Sequence, residues 1–277
     1  MKIAPIPATP NEIAQQLADL GVRSGDLLMV HASLKAVGPV LSGAGGLLQG
    51  LLSAIGPGGT VMGYAAWDRS PYEETLNGAT LSEEERSNWP AFDPANANVY
   101  PGFGMFNAVL ARQPGARRSA HPDSSMVAIG PLAETLVSPH ALGDAFGPRS
   151  PVDRFIAHRG KVLLLGAPLD AITVLHYAEA VADIPGKRRV RYEMPLLDAD
   201  GHKVWQKTEE WDSNGILDCY AIEGEPDAVE RITRDYVATR KPARGKVGNA
   251  DCYLFAARDI VNFGIEWLER RHGASAR

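Results

Sequence analysis

Thr173, His176 and Glu179 stand three residues apart in the segment Leu165-Gly-Ala-Pro-Leu-Asp170-Ala-Ile-Thr173-Val-Leu-His176-Tyr-Ala-Glu179. On a helix the three would share a face, with neighbouring Cβ atoms about 5–6 Å apart. A histidine beside a carboxylate is the smallest equipment for general-base chemistry, because the carboxylate orients the ring and raises its basicity. The spacing fits equally a structural histidine with Glu179 in solvent. A second constellation, Val30-His31-Ala32-Ser33-Leu34-Lys35, closes an apolar run, where a parallel sheet gathers ligands. The stretch Arg117 to Ser124 carries Arg118, Ser119 and His121, groups that can hold phosphates through charge-assisted bonds or form a solvated basic loop. Tyr64, Trp67, Asp68, Tyr72, Glu73 and Glu74 interleave aromatics with carboxylates, which suits a polar cation. Asp212 to Glu223 is a further acidic run.

These residues need a scaffold, and the chain offers alternating helix and strand signals, the pattern of an α/β architecture. Thr9 and Glu12 have capping-box spacing, Pro10 sits at the first helical position and Gly21 follows the end. Asp26 to His31 reads as a buried strand, 47–55 as a helix and 60–64 as a strand. Residues 66–101 lack periodicity, and a stretch that long without elements reads as a functional loop, lid or insertion. Residues 105–112 read as a helix, 125–129 and 161–165 as strands, and 171–181 as a helix. The segments 188–196 and 202–208 flank Asp198-Ala-Asp-Gly201, a hairpin turn. The last third reads as a helix at 226–240, a strand near 251–256 and a helix at 258–271.

Composition narrows the function classes. The 277 residues are 45% hydrophobic and 22% charged, enough apolar content for a large core. With 28 basic against 33 acidic residues, net −5, a nucleic-acid partner is not expected. No apolar run reaches the length of a membrane helix, and the start MKIAPIPATP has no signal-peptide character, so the chain reads as soluble and cytoplasmic. Cys219 and Cys252 read as buried free thiols. There is no P-loop, no intact GxGxxG, no GxSxG elbow, and no HExxH or CxxC zinc pattern. Arg112-Gln-Pro-Gly115-Ala-Arg117 approaches the phosphate-binding loop of the common N-acetyltransferase fold but ends in Arg instead of Gly or Ala.

The blocks LLMVHASLKAVGPV, IGPGGTVMGYAAWDRSPYEETLNGA, PGARRSAHPDSSMVAIGPLAE, LLLGAPLDAITVLHYAEAVADIP and DSNGILDCYAIEGEPDAVE together resemble the aminoglycoside 3-N-acetyltransferases, the antibiotic N-acetyltransferase family. The resemblance runs from about residue 10 to residue 271. It implies a single α/β domain over residues 1–277, with a central mixed sheet flanked by helices, distinct from the common N-acetyltransferase fold. It implies acetyl transfer from acetyl-CoA, with no metal, to the 3-amino group of the 2-deoxystreptamine ring of an aminoglycoside antibiotic, by direct attack in a ternary complex. By this resemblance His176 is the general base, Glu179 orients it, and His31 lies near the thioester. His31, Ser33, Leu34, Lys35, Arg118, Ser119 and His121 hold coenzyme A. Tyr64, Asp68, Glu179, Asp212 and Glu223 line the drug site. Backbone N–H groups after His31 are candidates for holding the oxyanion. A homodimer is compatible with the family. Other readings are an N-acyltransferase for another polyamine or biosynthetic amine, a metallohydrolase using His31, His121 and His176, and a non-catalytic binder.

Overall fold

The computed structural model describes residues 6–212 and 215–274. The first five residues, part of the stretch read as lacking a signal peptide, lie outside this range. So do Ser213 and Asn214 of the acidic 212–223 run. Helix α1 (Pro10–Leu20) starts on the expected capping box: Glu12 N–H donates to Thr9 Oγ1 at 3.2 Å and Thr9 N–H to Glu12 Oε2 at 2.7 Å. Gly21, at φ 113°, ends it, and Ile13, Leu17 and Leu20 are its buried stripe.

Strand β1 (Leu27–Ala32) runs into the one-turn helix α2 (Leu34–Val37), capped by Ser33. Helix α3 (Gly43–Ile55) starts four residues earlier than the sequence signal, because its glycines, poor helix formers, are used for close packing. A Cβ on Gly50 would lie 2.6 Å from Ile13 of α1. Strand β2 (Thr60–Tyr64) follows. The 66–101 segment contains elements of its own, α4 (Tyr72–Thr75) and α5 (Glu83–Asn88). Next come α6 (Met105–Ala111), the short β3 (Arg117–Arg118), β4 (Met126–Ile129), α7 (Ala133–Val137), α8 (Pro151–Ala157) and β5 (Lys161–Leu165). Helix α9 (Leu175–Val181) is shorter than the expected 171–181. A 3-10 turn over Leu169–Ala171 precedes it, so Thr173 lies before the helix and not on it.

Strands β6 (Arg189–Leu197) and β7 (Lys203–Trp211) form the expected hairpin around Asp198–Gly201 as a separate two-stranded sheet. Helix α10 (Ala228–Arg240), strands β8 (Ala243–Val247) and β9 (Ala250–Ala256), and helix α11 (Ala257–His272) complete the order.

The main sheet is mixed, in the order β3-β4-β2-β1-β5-β9-β8. Its centre, β2-β1-β5, is parallel; β4 and β9 join it antiparallel. Alternate residues of the central strands feed two cores. Met29 and Leu164 pack on one face with α7 to α11, and Val30 and Leu165 on the other with α1, α3 and α6. Burial on both faces explains why these strands read as unbroken apolar runs. Strand order reverses between β1 and β5, and a crevice opens at the carboxyl ends there. No helix among the described residues is long and apolar enough to cross a membrane.

The 66–101 segment is clasped by the hairpin. Lys203 Nζ donates to the carbonyls of Arg86, Ser87 and Trp89 at 2.9, 2.6 and 2.9 Å, so a cation closes the carboxyl end of α5. Arg86 pairs with Glu193 at 3.0 Å and lies over the Trp205 ring. Tyr72 is buried against Val190, Tyr192 and Met194.

Candidate active site

His176 sits in the first turn of α9, positioned by the tight turn after β5. Its Nδ1 lies 2.8 Å from Glu179 Oε2, one turn along the helix. A carboxylate only accepts, so Nδ1 carries the proton and Nε2 is the basic nitrogen. Glu179 is 5% exposed, while 30% of the His176 side chain reaches solvent. Burial opposes the charged imidazole, but Glu179 and then Asp227 outweigh it, and the His176 pKa is raised above its ordinary value. The Phe146 ring covers one side of the imidazole, with 5.1 Å between centroids.

Three clefts meet at His176. The largest, about 670 Å³, lies at the carboxyl ends of β1, β2 and β5. His31, Ser33, Tyr64, Phe103 and Asn107 line it on one side, and Thr173, His176 and Asp227 on the other. A second cleft, about 230 Å³, has Asp144, Glu179, Glu210 and Asp212 in its wall. A third, about 260 Å³, has Glu179, Asp218, Glu225 and Asp227. Carboxylates outnumber cations in both smaller clefts, where Arg149 and Arg189 join the lining of the second and Arg231 that of the third, whereas the β1 side of the large one is neutral. Burial, with the nearby His176, pushes the His31 pKa down to about 4, so His31 is uncharged at neutral pH. Ser33 caps α2 by accepting from Ala36 N–H at 3.3 Å, and its own N–H donates to Leu165 O at 2.9 Å. That backbone donor after His31, a candidate for the oxyanion, is thereby already engaged.

The remaining sequence candidates divide. Tyr64 lines the large cleft, its hydroxyl donating to Asp123 O at 3.0 Å and its ring packed on Phe103. Asp212 is buried in the wall of the second cleft, accepting from Tyr72 OH at 2.9 Å and paired with Arg188. Leu34 and Lys35 are not in the lining of these clefts, and Lys35 points to solvent. Asp68 is half-buried beside Arg118 and also outside the lining. Glu223 is exposed on the loop before α10, outside the lining that its neighbours Ile222 and Glu225 join.

The basic stretch, expected at coenzyme A, is folded inward. Arg118 donates to Ser125 Oγ at 3.1 Å and to the carbonyls of Ala65, Ala97 and Asn98, so it ties the two ends of the 66–101 segment together. Burial lowers its pKa to about 10, with Asp68 opposing. Ser119 accepts from Met126 N–H at 2.8 Å and meets His140 Nδ1 at 2.9 Å. His121 is fully buried; its Nδ1 accepts from Ser124 N–H, so Nε2 carries the proton toward Tyr192 and Glu210. Arg118, Ser119 and His121 are engaged by internal partners, and none of them lines the crevice. His31, His121 and His176 do not form a ligand group; among the described residues the potential metal-ligand cluster is the exposed Asp198, Asp200 and His202. Cys252 is buried as expected, but Cys219 is exposed, its thiol donating to Gly186 O at 3.1 Å.

Residues that sequence reading missed complete the site: Phe146, Asp144, Asn107, Glu210, Glu225 and Asp227. Glu210 accepts from Tyr192 OH at 2.5 Å and from Ala145 N–H at 3.1 Å. Strand alternation places it on the face of the exposed Val204 and Gln206, so its burial carries no local signal. The others depend on contacts between distant stretches.

A family model described as aminoglycoside 3-N-acetyltransferase matches residues 29–269. The chain is 61% identical over 267 residues to the aminoglycoside N(3)-acetyltransferase III of a Salmonella species, covering 96% of this chain and 93% of that one. Among solved structures it is similar to AAC-VIa bound to sisomicin, with a TM-score of 0.93 and 56% identity over 97% of this chain and 100% of that chain. It is also similar to AAC-IIIb in binary complex with CoASH, with a TM-score of 0.90 and 38% identity over 97% of this chain and 99% of that chain.

Proposed function

This chain belongs to the aminoglycoside 3-N-acetyltransferase family, and from that premise we propose that it acetylates the 3-amino group of the 2-deoxystreptamine ring of aminoglycosides with acetyl-CoA, by His-assisted direct attack in a ternary complex, conferring resistance. The observation that carries the reading is the His176–Glu179 pair at 2.8 Å, standing where a cleft with a neutral flank meets two carboxylate-lined ones. The neutral flank suits the acyl-pantetheine arm of the donor, a chain of amides and a thioester. The carboxylates suit a sugar carrying several ammonium groups, whose desolvation they offset through charge-assisted bonds.

An aminoglycoside amine is largely protonated at neutral pH and so is not a nucleophile. His176 Nε2 takes its proton, and the nitrogen lone pair attacks the thioester carbonyl carbon. The tetrahedral oxyanion collapses and the C–S bond breaks; the imidazolium returns its proton to the departing thiolate, so coenzyme A leaves as a thiol, and the attacking nitrogen gives up its second proton to solvent as the amide forms. Glu179 fixes the tautomer and stabilises the imidazolium that forms. His31, held neutral, adds no charge beside the thioester.

The test is coenzyme A release, read with a thiol reagent, from acetyl-CoA and an aminoglycoside panel that includes one analogue lacking the 3-amine. Release with gentamicin or tobramycin but not with the analogue is expected. Release with a non-drug polyamine alone would favour the biosynthetic alternative, and no release at all would remove the reading.

A further inference from the structure

We propose that Asn107 is a binding residue for the acyl donor: its side-chain NH2 donates a hydrogen bond to a carbonyl oxygen of the acyl-pantetheine arm. The proposal rests on the function proposed above and deepens it at one flank of the large cleft.

Asn107 occupies a core position of α6, beside the buried Phe106 and Leu110, and is 5% exposed. Packing alone calls for an apolar residue there. Its Oδ1 is buried with no hydrogen-bond partner, and among the described residues its NH2 has none either. The buried amide oxygen bears an unrelieved desolvation cost, so keeping an amide here in place of an apolar residue asks for a compensating bond at its NH2 end that the polypeptide does not supply. Asn107 lines the large cleft, and so does His31, whose Nε2 is likewise buried and unpartnered.

A second cost is borne for the same placement. Gly63 lies inside β2, where glycine weakens a strand and often marks a close approach. A Cβ there would lie 2.3 Å from Asn107 Oδ1 and 3.3 Å from a Leu110 methyl. The missing side chain thus makes room for the amide oxygen against the strand, which leaves the NH2 end toward the cleft. The donor offered matches carbonyl oxygens, which the acyl-pantetheine arm carries at its thioester and amides. It does not match ammonium groups, which are donors themselves; the carboxylates that would match them line the other two clefts and, as Asp170 and Asp227, the opposite side of this one.

The test compares wild type with Asn107→Ala and Asn107→Asp, the latter keeping the shape while removing the donor. Each folded variant is expected to raise the acetyl-CoA KM about tenfold or more, with the tobramycin KM within twofold. Inhibition by adenosine 3′,5′-bisphosphate, which has no pantetheine arm, should stay within twofold. The binding constant of acetyl-CoA, measured by calorimetry without drug, should weaken in parallel. Calorimetry also separates the two readings: a wild type that binds acetyl-CoA but acetylates no aminoglycoside fails the function, while an unchanged constant in either variant fails Asn107. An equal rise in tobramycin KM, or equal loss of bisphosphate binding, would also overturn the assignment.

Discussion

Phe146 lies against His176 at 5.1 Å between ring centroids, with the planes inclined by 33°. Glu179 takes the Nδ1 edge of the same imidazole, so Nε2 is left facing the point where the clefts join. One nitrogen is therefore presented to the cleft, and the ring has little freedom to present the other. His176→Ala is expected to lower kcat by about 10²–10⁴ with both KM values little changed, read by coenzyme A release. Near-normal turnover in that variant would remove His176 as the base.

On the proposed mechanism, Glu179 sets the pH at which His176 accepts a proton. The His176 pKa is raised because Glu179 and Asp227 outweigh burial, and only the neutral ring accepts a proton. Activity should therefore rise with pH through a value above 6.5 in the wild type. Glu179→Gln removes the larger attraction, so the acidic limb of kcat/KM moves to lower pH while the plateau falls with the weaker base. A limb that stays in place, or moves upward, would show that Glu179 does not control the ring.

Drug affinity should follow the carboxylates that line the clefts. Glu225→Gln is expected to raise the aminoglycoside KM several-fold, with kcat within twofold, and more strongly at low salt than at high. Glu223→Gln, two residues away and outside the lining, should stay within twofold. Equal effects at both positions would mean that the loop acts only through its overall charge.

Glu210 links the hairpin to the loop that carries Phe146. Burial works against its charge, but His121, Tyr192 and the Ala145 N–H hold its carboxyl below the usual range. Glu210→Ala leaves these buried groups unpaired and should cost about 3 kcal/mol, measured by denaturant unfolding. The sign of the pH effect follows from the lowered pKa. The carboxylate's contribution is complete above about pH 4.5, its unfolded value, and is lost as the pH falls through the lower folded value. Glu210→Gln should lack that part of the acid slope.

The clasp over α5 can be opened alone. Lys203→Ala removes the donor to three carbonyls at the helix end. Limited proteolysis should then cut within 76–101 several times faster, with the tobramycin KM within twofold. Unchanged proteolysis would place the hold on that segment elsewhere, with Arg118 the next residue to vary.

Local chemistry made much of the scaffold legible. The capping box of α1, the apolar runs of β1 and β5, and the Asp198–Gly201 turn each carry their own signal, and each element lies where expected. Strand β8 escaped notice because it is an edge with Arg244 and Lys246 pointing outward, the charged composition that protects an edge from pairing. The start of α3 was hidden by glycines whose helical state depends on α1. At the site, the His176–Glu179 spacing was readable because both residues share one helix. Phe146, Asp227 and Asn107 reach the crevice from other stretches, and no local pattern places them there. Ser119 and His121 mislead for the opposite reason, since polar loop residues suggest exposure until their buried partners are known.

The walls around His176 come from different parts of the chain. Strands β1 and β2 and helix α6 supply the neutral flank, while the hairpin and the stretch from 215 to 231 supply most of the carboxylates. The large cleft shares Phe146, His176, Asp227 and Val229 with the smaller two, but the neutral flank contributes none of these. On the proposed reading, mutations that broaden the range of accepted drugs can therefore accumulate on one side while the acyl donor's seat stays intact, and this separation would leave the drug spectrum free to drift under selection without a matching loss of cosubstrate affinity.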